Sequence, residues 1–194
     1  LMNAAVAESS AIIEAFKMRA EAVSAQVQRV ATKELAMELI VRLLHQEGVE
    51  DAPHSHAVWA ACPMIGPAER QKLEGAVPGL KFAVTRDEAA NAKVGISQVD
   101  WALANTGTLV QNADAVDKRL VSTLPPMHIA LVATGAVLPD LPAVLQQIDP
   151  RKSNYISFIT GPSRTADIER VLTIGVHGPA RLVIVMVDDL EVAS

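Results

Sequence analysis

In Val23-Ser24-Ala25-Gln26-Val27-Gln28 apolar and polar residues alternate, the period of a strand covered on one face. The residues that follow change period. From Thr32, a candidate N-cap, Leu35, Leu39 and Leu43 with Ile40 and Leu44 form an apolar stripe at helical spacing, and Gly48 ends it. A strand within 22–30 followed by such a helix is half of a β-α-β unit.

The unit recurs along the chain. Ala57 to Cys62 reads as a short buried strand, Pro67 starts a helix through Leu73, Leu80 to Val84 is the next strand, and Asp87 to Asn91 adds a helical turn. Further on come a strand over Ile129 to Ala133, a helix over Leu141 to Ile148, a strand over Tyr155 to Ile159, a helix over Thr165 to Thr173 and a strand over Leu182 to Val187. This order predicts an α/β fold with a mostly parallel sheet and helices on both faces. Residues 23–27, 57–61, 129–132, 155–159 and 182–187 are expected in that one sheet. Between Val94 and Gln111 the pattern differs: Val99 to Ala104 and Thr108 to Gln111 flank Asn105-Thr106-Gly107, which predicts a hairpin insertion near the end of the sheet. Residues 3–19, Ala-rich with Ile12, Ile13 and Phe16 at helical spacing, predict an N-terminal helix. The expected organisation is that helix over 1–19 and a single α/β domain over 20–194.

Composition bounds the function. At 194 residues, 50% hydrophobic and 20% charged, with ten glycines and eleven prolines, the chain suits one folded domain and neither disorder nor low complexity. Two Trp, one Tyr and three Phe leave no stacking platform for bases, and a net charge of −5 provides no basic face for a phosphate backbone, so nucleic acid is not an expected partner. The single cysteine, Cys62, excludes a disulfide framework or an iron–sulfur cluster built from this chain alone. Glu8, Glu14, Lys17 and Arg19 interrupt the first apolar residues before a secretory h-region forms, so a reducing, cytoplasmic location is expected. Leu120 to Pro139 carries no charge over twenty residues, but Pro125-Pro126, His128 and Gly135 break it, and no membrane span is expected.

Three loops carry candidate chemistry. Gly161-Pro162-Ser163-Arg164-Thr165 lies between an expected strand and an expected helix, where free N–H groups, hydroxyls and a guanidinium favour an anion. The ordinary reading is a capped helix whose Asp167 and Glu169 complement the dipole. Thr106-Gly107-Thr108 offers two hydroxyls about a glycine, or is simply a hairpin turn. His177-Gly178, preceded by Gly175, sets a histidine on a loop before a strand, as a general base or as a surface turn. Convergence of the three on one pocket for a carboxylate or phosphate would make each informative, with Arg164 as the strongest contact and His177 as the proton carrier. Elsewhere, His54, His56 and Cys62 lack the paired spacing of a structural zinc site, and no metal is expected there; Asp188-Asp189 reads as a solvated strand end. No phosphate-cradling P-loop and no G-x-G-x-x-G occurs.

Val94-Gly95-Ile96, Asn105-Thr106-Gly107-Thr108, Pro125-Pro126-Met127-His128-Ile129, Gly161 to Glu169 and Gly175-Val176-His177-Gly178-Pro179, in this order, resemble the LUD domain family of lactate utilization protein C over roughly residues 20–188. The resemblance implies a fold like that of the NagB, ribose-5-phosphate isomerase and CoA-transferase group. It also implies a part in oxidation of L-lactate to pyruvate alongside iron–sulfur partner proteins. On that reading the chain holds no cofactor of its own and the clusters sit in the partners. Many relatives carry an acidic residue where this chain has Asn105, and an amide is neither a nucleophile nor a general base.

Three functions follow as alternatives. The first is a component of a lactate-oxidising system that binds an organic anion at Thr106, Ser163 and His177. The second is a stand-alone isomerase- or ligase-like enzyme acting on a phosphate or carboxylate; a glutamate-type CoA-transferase is disfavoured, since no Glu is followed two residues later by Gly. The third is an anion-binding scaffold without turnover. Whether the chain is an enzyme is left open by its residues, as is a homo-oligomer.

Overall fold

The computed structural model describes residues 2–149, 151–167, 171–174 and 177–192. In chain order the elements are α1 (Met2–Ala22), β1 (Gln26–Val30), α2 (Lys33–Gln46), β2 (Ala57–Trp59), α3 (Pro67–Ala76), β3 (Leu80–Lys81), α4 (Arg86–Ala90), β4 (Val94–Gln98), β5 (Trp101–Leu103), β6 (Thr108–Asn112), α5 (Val116–Thr123), β7 (Met127–Ala133), β8 (Val137–Leu138), α6 (Leu141–Leu145), β9 (Ile156–Ile159), β10 (Arg164–Asp167), β11 (Val171–Ile174) and β12 (Arg181–Val187).

The two longest apolar runs, β7 and β12, lie side by side and parallel at the centre of a six-stranded sheet ordered β1-β12-β7-β4-β2-β3. Every pairing in it is parallel. Both faces of the central strands are covered, which is why they read as continuous hydrophobic stretches. On one face α2 lays Leu39, Ile40, Leu43 and Leu44 into the core, its first turn capped by the Thr32 hydroxyl accepting from the Leu35 N–H at 3.3 Å. On the other, α4 and α5 enclose Val58, Ala60 and Val121. Gly95 of β4 permits this: a Cβ there would collide with the Val121 carbonyl, so only a glycine lets the α5 backbone lie on the strand.

The remainder of the α5 face is covered by a second, four-stranded sheet ordered β8-β5-β6-β9. Its centre is the expected hairpin, β5 paired antiparallel with β6. Helix α1 joins the same body, burying Ile13, Phe16 and Ala20, and continues to Ala22.

Three expectations change. The alternation of 22–30 yields a strand only from Gln26, because α1 continues to Ala22 and a turn at Val23-Ser24, where Ser24 takes φ +73°, intervenes. The strand expected at Tyr155–Ile159 exists as β9 but pairs antiparallel with β6, outside the parallel sheet. It is an edge strand with Phe158 48% exposed, and a half-covered antiparallel edge carries a similar short apolar run to a buried parallel strand. Where a helix was expected over Thr165–Thr173, the described residues form strands: β10 and β11 pair antiparallel, Arg164 with Ile174 and Thr165 with Thr173. Thr165, Val171, Thr173 and Ile174 are β-branched, and that preference prevails over the acidic residues that suggested a helix start.

Candidate functional site

A cleft of about 620 Å³ opens at the amino ends of β7 and β12, against the end of β9 and the loop after it. Doubly wound sheets commonly bind ligands at the carboxyl ends of their strands, which is where the sequence order placed the Gly161 loop. The loop lies at the opposite end because β9, which leads into it, belongs to the second sheet.

The loop's position is fixed by Gly161. This residue has φ +68°, and a Cβ on it would run into the Val23 carbonyl, so the chain is pressed directly on the turn between α1 and β1. Arg164 completes the contact, with Nη2 donating to the Val23 carbonyl at 2.6 Å and standing 2.9 Å from Ser24 Oγ. Ser163 donates its N–H to the Pro179 carbonyl at 2.8 Å, and Gly178 lies so close that a Cβ would stand 3.1 Å from Ser163 Cβ. The Gly161–Arg164 and His177–Pro179 segments are thereby joined edge to edge along the cleft, with His177 exposed. The side chain of Thr165, and all of Ile168, Glu169, Gly175 and Val176, lie outside the described residues. With β10 rather than a helix following the loop, the loop carries no helix N-terminus, and Ser122 and Thr123 bring the C-terminal end of α5 to the cleft instead.

Thr106, Gly107 and Thr108 do not line the cleft. The Thr106 hydroxyl donates to Thr108 Oγ1 at 2.8 Å, and Thr108 Oγ1 stands 2.8 Å from Thr160 Oγ1, which does line it. Gly107, at φ +66°, packs on the backbone of Arg19 and Ala20. The structure thus brings two of the three expected loops onto one cavity and connects the third to its rim through a threonine chain. Asn105 is exposed in the hairpin turn.

Beneath the cleft lies His128, which the sequence offers as a member of the Pro125–Ile129 motif and not as a site residue. It is the second residue of β7, wholly buried, with Leu182 opposite it in register on β12 and Gly95 on β4. Burial with no charged partner pulls its pKa down to about 4, so the ring is neutral at pH 7. His128 Nε2 stands 2.9 Å from Ser97 Oγ, and Gln111 Nε2 donates to the same oxygen at 2.9 Å. His128 Nδ1 has no partner among the described residues. The available signal was a histidine inside an otherwise apolar run, Met127-His128-Ile129-Ala130, since a buried polar ring requires hydrogen-bonding company.

The described lining of the cleft holds Arg164, His128 and His177, the hydroxyls of Ser122, Thr123, Thr160 and Ser163, and no carboxylate. The other candidates have local uses. His56 is buried with Nε2 at 2.9 Å from the Glu88 carbonyl and 3.0 Å from its carboxylate, Cys62 is half-buried with its thiol pKa raised by burial, and Asp188 pairs with Arg29 at 2.8 Å. Among the described residues no group of three His, Cys, Asp or Glu is arranged to hold a metal ion. Nor is any described helix long and apolar enough to cross a membrane.

Residues 13–187 match the model of the LUD domain. Proteins named lactate utilization protein C are similar in sequence: that of an Exiguobacterium species is 38% identical over 112 residues, covering 55% of this chain and 49% of its own. That of Macrococcus caseolyticus is 41% identical over 115 residues, covering 56% and 50%. The matched part of this chain spans about half the length of these relatives. That of Bacillus pumilus aligns more fully, 27% identical over 192 residues, covering 92% and 79%. Among solved structures, a DUF162 family protein from Deinococcus radiodurans superposes with a TM-score of 0.64 at 18% identity, covering 92% of this chain and 98% of that one. At that identity the likeness concerns the fold alone.

Proposed function

The chain belongs to the LUD domain family, and from that premise we propose that it is a component of a lactate utilization system whose cleft binds a small organic anion. The observation that carries this reading is the cleft's lining: one guanidinium, two imidazoles, of which that of His128 is neutral, and four hydroxyls line it, in a protein of net charge −5. The Arg164 guanidinium with hydroxyl and imidazole donors around it is a set of groups that a carboxylate or phosphate can engage. Arg164 is the principal contact, its guanidinium engaging a carboxylate while Nη2 stays on the Val23–Ser24 turn. His177 is the exposed titratable group beside it and the candidate for moving a proton.

Oxidation of L-lactate to pyruvate removes two electrons, and this chain has one thiol and no dinucleotide fingerprint. On this proposal the electrons pass to iron–sulfur partner proteins, and this chain holds the anion. An anion-binding scaffold without turnover and an isomerase- or ligase-like enzyme acting on a phosphate or carboxylate are the alternative readings.

The test is titration of the purified protein with L-lactate, pyruvate and inorganic phosphate, read by calorimetry and by the shift in melting temperature. At least one anion is expected to bind, and Arg164→Ala to weaken it about ten-fold or more, the effect of losing a charged hydrogen bond. Binding of none of them would remove the anion reading. Co-purification with an iron–sulfur protein from the native cell tests the partner assignment.

A further inference from the structure

Gln111, Ser97 and His128 form a buried chain of hydrogen bonds whose direction can be worked out. The Gln111 amide nitrogen faces both Ser97 Oγ at 2.9 Å and the Gln98 carbonyl at 3.4 Å. A carbonyl oxygen repels another oxygen, so the Gln98 carbonyl favours the amide nitrogen at that end and Gln111 donates to Ser97, its own Oε1 being left buried without a partner among the described residues. Ser97 Oγ, occupied as an acceptor, keeps one proton to give, and its other recorded partner is His128 Nε2 at 2.9 Å. His128 Nε2 therefore accepts. A neutral imidazole with an accepting Nε2 carries its proton on Nδ1.

That leaves a buried N–H with no acceptor among the described residues, on a residue that forms part of the cleft wall. Buried donors without partners are rare because each forfeits the hydrogen bond it made to water. We propose that His128 is a binding residue of the cleft, donating from Nδ1 to a carboxylate oxygen of the bound anion, and that Ser97 and Gln111 are positioning residues that hold the imidazole in the donating tautomer. This rests on reading the cleft as an anion site. It adds a specificity element: a neutral donor deep in the wall of the cleft that also holds Arg164 favours an acceptor oxygen and disfavours an ammonium or a hydroxyl proton at that spot. It also assigns His128 no role as a base, since the nitrogen near the ligand already carries the proton.

The experiment uses the full chain with ¹⁵N-labelled histidine. Two-bond proton–nitrogen correlations at neutral pH should show His128 in the Nδ1-protonated form before any anion is added; an Nε2-protonated ring would overturn the proposal. Titration with L-lactate, pyruvate or inorganic phosphate should move the Nδ1–H resonance in step with the calorimetric isotherm. If an anion binds in an Arg164-dependent manner and that resonance stays fixed, this inference fails while the anion reading stands; if no anion binds, both fail. Ser97→Ala should release the tautomer and weaken anion binding about ten-fold, and Ser97→Thr, which keeps the hydroxyl, should restore both. A purely structural role for Ser97 would lower stability without changing the tautomer. His128→Asn, which keeps an amide N–H near the Nδ1 position, should bind the anion more tightly than His128→Leu; equal binding by the two would also overturn the proposal.

Discussion

The two sheets are built from similar residues and hold them differently. In β7 and β12 almost every side chain is buried, whereas β9, with Ile156, Phe158 and Ile159, is an edge on which no residue is fully covered. The first sheet is held by packing on both faces; the second leans on it and lends its outer strand and following loop to the cleft. Stability thus rests mainly on the first sheet, while the cleft lies along the seam and draws residues from both.

Substitutions can break or sharpen this division. Leu131→Ala, in the middle of β7, should cost about 2–5 kcal/mol by denaturant unfolding, the price of a cavity in a close-packed core. A cost comparable to that of an exposed site would mean the central sheet is less tightly built than its burial indicates.

Acid should act through the seam. His128 falls from the ordinary histidine value of 6.5 to about 4 in the folded protein. Between those two values the unfolded chain binds the proton and the folded one does not. Stability is therefore full above pH 6.5 and declines as pH falls toward 4, by up to about 3 kcal/mol. Asp100, whose carboxyl is raised by burial, contributes with the opposite sign, most fully below 3.8 and less as pH rises past its raised value. The histidine's share is the part of the pH dependence that disappears in His128→Asn. Equal slopes in the two proteins would remove it.

Gly161→Ala should cost about 1–3 kcal/mol, since it combines a left-handed backbone with a collision at Val23, and it should also weaken anion binding by displacing Arg164. Unchanged binding would separate the loop's anchoring from its recognition. Phe158→Ala, on the exposed edge, should change stability by about 1 kcal/mol or less. A larger loss would show the second sheet to be as tightly packed as the first.

The same division explains what could be read in advance. The runs at Met127–Ala133 and Arg181–Val187, the Thr32 cap with its leucine stripe, and the hairpin around Asn105-Thr106-Gly107 are local patterns, and each appears at its expected place. The partner of β9 is not local: it pairs with residues more than forty positions earlier, and nothing in Ile156–Ile159 states whether that partner lies in the large sheet or the small one. Residues 165–173 carry two conflicting signals, a cap-and-acid pattern that suggests a helix and β-branched residues that suggest strands, and pairing across the hairpin decides between them. The cleft lies at the amino rather than the carboxyl ends of β7 and β12 for the first of these reasons. Gly161–Arg164 and His177–Gly178 were legible as loops that meet, Thr106–Thr108 only as a neighbour, and His128 was hidden by the apolar run that buries it.

Gly107 and Gly161, some fifty residues apart, both close on the end of α1, one against Ala20 and the other against Val23, and Arg164 ties itself to the same turn. A protein trimmed to begin after that turn, as one might do for crystallisation or to transplant the domain, would keep its parallel sheet and lose the seat on which both loops rest. Tags and fusions are better carried ahead of α1 than spliced into its last turn.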